Sequence, residues 1–187
     1  MEKLKAMQAI GAVALLTTSS AIFANGLVDE VGAEYAIADI DDCEGSDLCD
    51  GGAIALKASK YLENVMPGLS VEAEFTKSIS GFEDSETIGG TTYSAEISYY
   101  TLGGYGKYTL PVADQVSLFG RLGFVYTSVE AEVSGGGESY SDDDSDTDIS
   151  FGVGGSFAIS NKLKITAGYT TIDDLNHISF GVAMLLN

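Results

Sequence analysis

His177-Ile178-Ser179 places the chain's single histidine two residues before a serine. On an extended strand that spacing aims both side chains at one face, as a histidine must be aimed to take a serine proton. A hydrolase also needs an acid that orients the imidazole and donors for an oxyanion. No acidic residue follows Ser179, and Asp173 or Asp174 would have to curl back across the preceding turn to serve. The pair reads as a loop-end histidine beside an interior serine, and no catalytic residue is assigned.

Three other groupings raise chemistry. Gly106-Lys107 suggests a phosphate loop, but Thr101 stands where the first glycine of a Walker loop belongs and Tyr108 where its serine or threonine belongs. The run SYSDDDSDTD (139–148) spaces Asp142, Asp144, Asp146 and Asp148 at alternate positions, and alternate carboxylates on one face can converge on a divalent cation such as calcium or magnesium. The glycine and terminal glutamate of an EF-hand loop are missing, and a block of like charge reads first as a solvated loop. Cys43 and Cys49, in a chain read below as exported, are expected to form a disulfide that closes one loop. So short a loop contributes about 2 kcal/mol, enough to order the loop and too little to hold a fold. With one distant histidine, a structural zinc site is disfavoured. None of these groupings calls for a cofactor.

The elements that position these residues begin after an N-terminal leader. Lys3 and Lys5, the apolar run Ala9 to Leu16 and the small residues ending at Ala24 have the layout of a secretory signal peptide, with cleavage after Ala24 or Ala21. The domain reading is therefore a signal peptide over 1–24 and one β-barrel domain over 25–187. Without Glu2, Lys3 and Lys5, the remaining 163 residues carry 27 acidic and 7 basic side chains, a formal net charge of −20. Such a surface excludes nucleic acid as a partner.

Beyond residue 30 the chain alternates with period two, and no helical period is sustained. The pattern predicts eight strands, over 31–40, 53–62, 69–80, 93–110, 116–133, 148–160, 163–172 and 177–186. Short connections alternate with the longer 41–52, 81–92 and 134–147, which implies an up-and-down meander. In the fifth strand Val116, Leu118, Gly120, Leu122, Phe124 and Tyr126 share one face; Ser117, Phe119, Arg121, Gly123, Val125 and Thr127 share the other. A soluble barrel would turn its apolar face inward and show long charged side chains to water. Here the polar faces are small and sparsely charged, as the interior of a narrow barrel must be, so the apolar faces are assigned to lipid. This answers the Gly106-Lys107 question, since alternation points Lys107 into the barrel. The interior charges are expected to be Glu34, Glu72, Glu74 and Glu96 against Lys57, Lys107, Arg121 and Lys164, joined in an ionic network because a lone buried charge costs several kcal/mol.

The stretches LGGYGKYTLPVADQVSLFGRLGF (102–124) and DISFGVGGSFAISNKLKITAGYTTIDD (148–174), with the final strand, resemble the small eight-stranded outer-membrane β-barrel family, the OmpA/OmpX-like outer membrane protein beta-barrel domain group. The resemblance spans the whole mature chain. It implies an all-β, eight-stranded antiparallel up-and-down transmembrane barrel in the outer membrane, in contact with outer-membrane lipid and lipopolysaccharide. It also implies a C-terminal insertion signal read by the outer-membrane assembly machinery, matched by Ser179, Gly181, Met184 and Leu186, while the usual final aromatic is replaced by Asn187. The His-x-Ser pair resembles that of barrel lipid A deacylases, without their acid.

The connections 41–52, 81–92, 134–147 and 173–176 hold 15 acidic residues and no lysine or arginine, so the outward end of the barrel is expected to be strongly anionic. The expected role is structural or surface-interacting, toward a host or environmental surface ligand, with adhesion or colonisation among the roles the family implies. A narrow channel is the alternative. A lipid A-modifying enzyme and a soluble exported barrel for an apolar ligand stand behind it.

Overall fold

The computed structural model describes residues 26–40, 50–81, 83–88 and 91–186. The expected signal peptide, Cys43 and Cys49 lie outside these residues. The strands among them are β1 (Glu30–Ile40), β2 (Asp50–Tyr61), β3 (Leu69–Gly81), β4 (Glu83–Ile88), β5 (Thr91–Pro111), β6 (Val116–Gly135), β7 (Glu138–Ala158), β8 (Leu163–Ile172) and β9 (Leu175–Leu185). Neighbours in the chain pair antiparallel, except that β3 pairs with β5 across the short β4. The ring closes where β1 meets β9, with Val31 opposite Met184 and Ile37 opposite Ile178. Eight strands thus form a closed wall, and among the described strands β4 pairs with β5 alone, above it.

Alternation decides which side chains enter the barrel, and the exposures show the direction. Leu122 and Phe124 are 62% and 66% exposed, whereas Arg121 between their neighbours is 6% exposed. The same inversion holds for Phe151, Val153, Phe180 and Val182, all outward, against the inward Glu34, Glu72 and Glu74. An outward apolar belt with a charged interior is unstable in water and stable in lipid. The soluble alternative is therefore wrong. Phe75, Tyr100 and Tyr126 form a chain of ring contacts on the outer face, with centroids 6.5 and 6.3 Å apart, where one aromatic girdle belongs.

Two of the expected long loops are not loops. The 134–147 segment is the tip of a hairpin in which β6 and β7 pair continuously from Val116 to Gly135. Gly136 and Gly137 make its turn with φ of 63° and 90°, the left-handed pair that a two-residue type I′ turn needs. The 81–92 segment contains β4, which folds back on β5. Both faces of these extensions meet water, so they carry no apolar stripe to mark them as strands. Together β4 and the upper parts of β5, β6 and β7 form a four-stranded sheet standing above the wall on one side.

Candidate functional site

Starting from the short-turn end, the interior charges build a connected network. Lys164 Nζ lies 2.5 Å from Glu30, which also accepts a hydrogen bond from the Tyr61 hydroxyl. Lys57 donates to Glu34 at 2.6 Å and lies 3.3 Å from Glu74. Lys107 donates to Glu72 at 2.7 Å and packs over the Phe119 ring. Arg121 is the hub. Its Nη1 donates to Glu72 at 2.9 Å and to Glu74 at 2.6 Å, its Nη2 donates to Thr170 at 2.6 Å, and its guanidinium stacks over Tyr105. Ser59 and Thr166 complete the carboxylates of Glu72 and Glu34. Gly152, opposite Arg121 across β6 and β7, leaves the room: a Cβ there would come within 3.0 Å of the guanidinium chain and 2.8 Å of Thr170.

Seven of the eight expected interior charges lie inside the barrel. Glu96 does not. It lies an even number of residues from the outward Tyr100, so it shares the outer face, and it is exposed on the protruding sheet opposite Glu132. Glu30 takes its place as the fourth interior acid. Sequence reasoning missed it because the first strand was started one residue late, although Glu30 has the parity of Glu34.

Above the network sits a neutral layer. Tyr99 stacks on His177, and its hydroxyl lies 2.8 Å from His177 Nε2. Ser179 hydrogen-bonds the Glu34 carboxylate. The two members of the His-x-Ser pair are both buried and face the interior, but each is engaged elsewhere, and among the described residues no acid orients the imidazole as a triad would require.

The outward end is where the anionic residues gather. Asp142, Asp144, Asp146 and Asp148 have the inward parity of Ser150 on β7, as the spacing implied, and the lower three, Asp144, Asp146 and Asp148, border the barrel mouth together with Asp173 and Asp174 of the β8–β9 turn. They are spread along the strand: among the described residues no three acidic, histidine or cysteine side chains are grouped to hold a metal ion. Asp173 takes a left-handed φ of 48°, a conformation aspartate tolerates in tight turns. The protruding sheet (83–88, 91–99, 127–135 and 138–148) carries 12 acidic residues and no lysine or arginine. On its β7 side, Glu138 to Ile149 pair with β6 and have no partner in β8, whose pairing with β7 begins at Ser150.

This geometry has close counterparts. Ail, the attachment invasion locus protein of Yersinia pestis, superposes with a TM-score of 0.56 at 18% identity, over 85% of this chain and 99% of that one. It has also been solved with the heparin analogue sucrose octasulfate, in a structure matching at a TM-score of 0.51 and 18% identity, over 84% of this chain and 95% of that one. Neisserial surface protein A matches at a TM-score of 0.56 and 18% identity, over 83% and 96% of the two chains. The N-terminal β-barrel domain of Pseudomonas aeruginosa OprF gives 0.56 at 7% identity, over 84% and 97%. At these identities the likeness is one of fold. A search of curated protein sequences finds no significant match. The family model for the outer membrane protein beta-barrel domain matches residues 10–183. With nearly the whole chain matched and a closed eight-stranded wall turned apolar side out, the protein belongs to the outer membrane protein beta-barrel family and resides in the outer membrane.

Proposed function

We propose that the protein is a non-enzymatic surface barrel whose protruding sheet engages a positively charged partner outside the cell. The observation that carries this reading is the sheet itself, with 12 acidic residues, no basic ones, and an edge from Glu138 to Ile149 free of a β8 partner. A sheet edge accepts an extended chain through its outward N–H and C=O groups. Here the N–H groups of Ser145 and Thr147 are taken by Asp144 and Asp146, which leaves the part toward the hairpin tip for such pairing, and the carboxylates select a chain rich in lysine or arginine. Host or environmental surfaces that display such segments are the partners this chemistry fits, which is how adhesion would arise. A polyanion of the heparin type, the class crystallised with Ail, is disfavoured here because like charges repel it.

The other contacts in this reading follow from position. Outer-membrane lipid meets the apolar belt. Lipopolysaccharide phosphates face an acidic rim, which calcium or magnesium ions would screen. The last strand offers Ser179, Gly181, Met184 and Leu186 to the assembly machinery. The narrow-channel alternative is opposed by the network around Arg121, which fills the middle of a barrel only just wide enough for its own side chains.

Binding of the purified protein, in nanodiscs, to immobilised polylysine and to immobilised heparin tests the proposal. Retention on polylysine that falls at least tenfold when residues 131–142 are removed is the expected result. Equal retention without that segment, or preferential binding to heparin, would overturn it.

A further inference from the structure

The mouth of the barrel holds a cavity of about 350 Å³ between β5, β6, β7 and the β8–β9 turn. Ile97 and Tyr99 come from β5, Val129 from β6, and Ile172 and Leu175 from the two ends of the last turn. These side chains make an apolar wall continuous with the small cluster of Ala36, Ala38, Ala53 and Tyr99. Thr127, beside Tyr99, contributes a buried hydroxyl with no hydrogen-bond partner among the described residues. Above the wall stand Asp144, Asp146, Asp148, Asp173 and Asp174, and among the described residues no lysine or arginine lines the space.

We propose that this mouth is a binding pocket for a small organic cation, a compact apolar body bearing an ammonium group. The volume lies in the range of small-molecule sites, about 300–1,000 Å³, and the combination of apolar walls with a few charges at one end is their usual construction. The charge distribution selects the ligand class. Five carboxylates around one opening create a negative potential focused over low-dielectric walls, which concentrates cations. They do not converge on a point as the oxygen ligands of calcium or magnesium must, since no three acidic groups among the described residues are close enough to share an ion. A bare divalent ion would leave the apolar wall wet; an ammonium with a hydrocarbon or aromatic body covers the wall while its charge stays at the rim. The pocket lies inside the barrel mouth, and the proposal stands whether or not the protruding sheet binds a partner.

The test uses the full chain folded in zwitterionic nanodiscs, with methyl NMR signals of Ile97, Val129 and Ile172 followed during titration of benzyltrimethylammonium. Saturable shifts at all three methyl groups are expected. Neutral benzyl alcohol should bind at least tenfold more weakly, and magnesium should not reproduce the shifts. The triple change Asp146→Asn, Asp148→Asn, Asp173→Asn should weaken binding at least tenfold. Ile97→Trp, which fills the cavity and keeps every carboxylate, should abolish it; Val129→Trp fills the same space from the neighbouring strand should the first variant not fold. The heat-dependent gel mobility of each variant confirms its barrel. Absence of saturation, equal shifts with benzyl alcohol or magnesium, or undiminished binding to the folded cavity-filling variant would each overturn the pocket.

Discussion

At the scale of single residues, Arg121 shows how a charge on an otherwise apolar strand becomes structural. It was identifiable in the sequence from alternation alone, with Leu122 and Phe124 on the opposite parity. Which carboxylates it meets was not, because partners on β3 come from nearly fifty residues away. Removing it as Arg121→Met leaves Glu72 and Glu74 with Lys107, Lys57 and Ser59 as their partners among the described residues, in a buried interior. Breaking such a cluster from one side costs about 3–5 kcal/mol, while an exposed pair contributes about 0–1. The folded gel band of Arg121→Met should therefore disappear at a clearly lower temperature than that of the parent, and Asp143→Asn, on the protruding sheet, should leave it nearly unchanged. Gly181 gives a second prediction of the same kind. A Cβ there would stand 2.2 Å from the Ala33 carbonyl oxygen and 2.6 Å from the Glu34 Cα, both backbone atoms that cannot swing away. Gly181→Ala should cost about 1–3 kcal/mol by overpacking, read as a lower melting temperature of the same band. The insertion-signal role alone would instead lower the yield of barrel in the membrane and leave the melting temperature unaltered.

Elements behave differently according to what lies on their two faces. β8 matched its expected span, because lipid on one side and a crowded interior on the other write a clean alternation. The upper half of β7 and all of β4 were read as loops, since their side chains alternate between polar and polar, whereas β5 and β6 were expected over nearly their whole length, from 93 and to 133. The Gly136-Gly137 dipeptide between β6 and β7 was nevertheless a hairpin signal of the type I′ kind. This sheet rises from the rim and owes little to the wall for its pairing, and the wall owes nothing to it. Deleting residues 131–142 should therefore leave the barrel's melting temperature within a few degrees of the parent. A fall as large as that of Arg121→Met would mean that the sheet helps to hold the wall closed. An epitope inserted at Gly136 should be accessible to antibody on intact cells. Detection only after permeabilising the outer membrane would reverse the orientation.

For the molecule as a whole, closure of the sheet matters more than any side chain. With β1 paired to β9 along eleven residue pairs, the wall has no free edge to fray. Unheated protein should migrate differently from boiled protein in a denaturing gel, and identical migration would argue against a closed wall. The same closure, plugged by four acids and four bases, should give no steady single-channel current in planar bilayers. Sustained openings would favour the channel reading and require the Arg121 network to part.

What the sequence determined by itself is the inside-out barrel. A period of two is local, each strand carries its own record of lipid on one side, and the small residues opposite leave no other place for Lys107 or Arg121. Tertiary structure decided everything that depends on register and height. It brought Glu72 and Glu74 of β3 to Arg121 of β6, paired Tyr99 with His177 and so separated the histidine from Ser179, and gathered Asp173 and Asp174 with three aspartates of β7 around one mouth. Those outcomes depend on the tilt and stagger of strands around a closed ring, a property of the whole sheet that no single strand encodes.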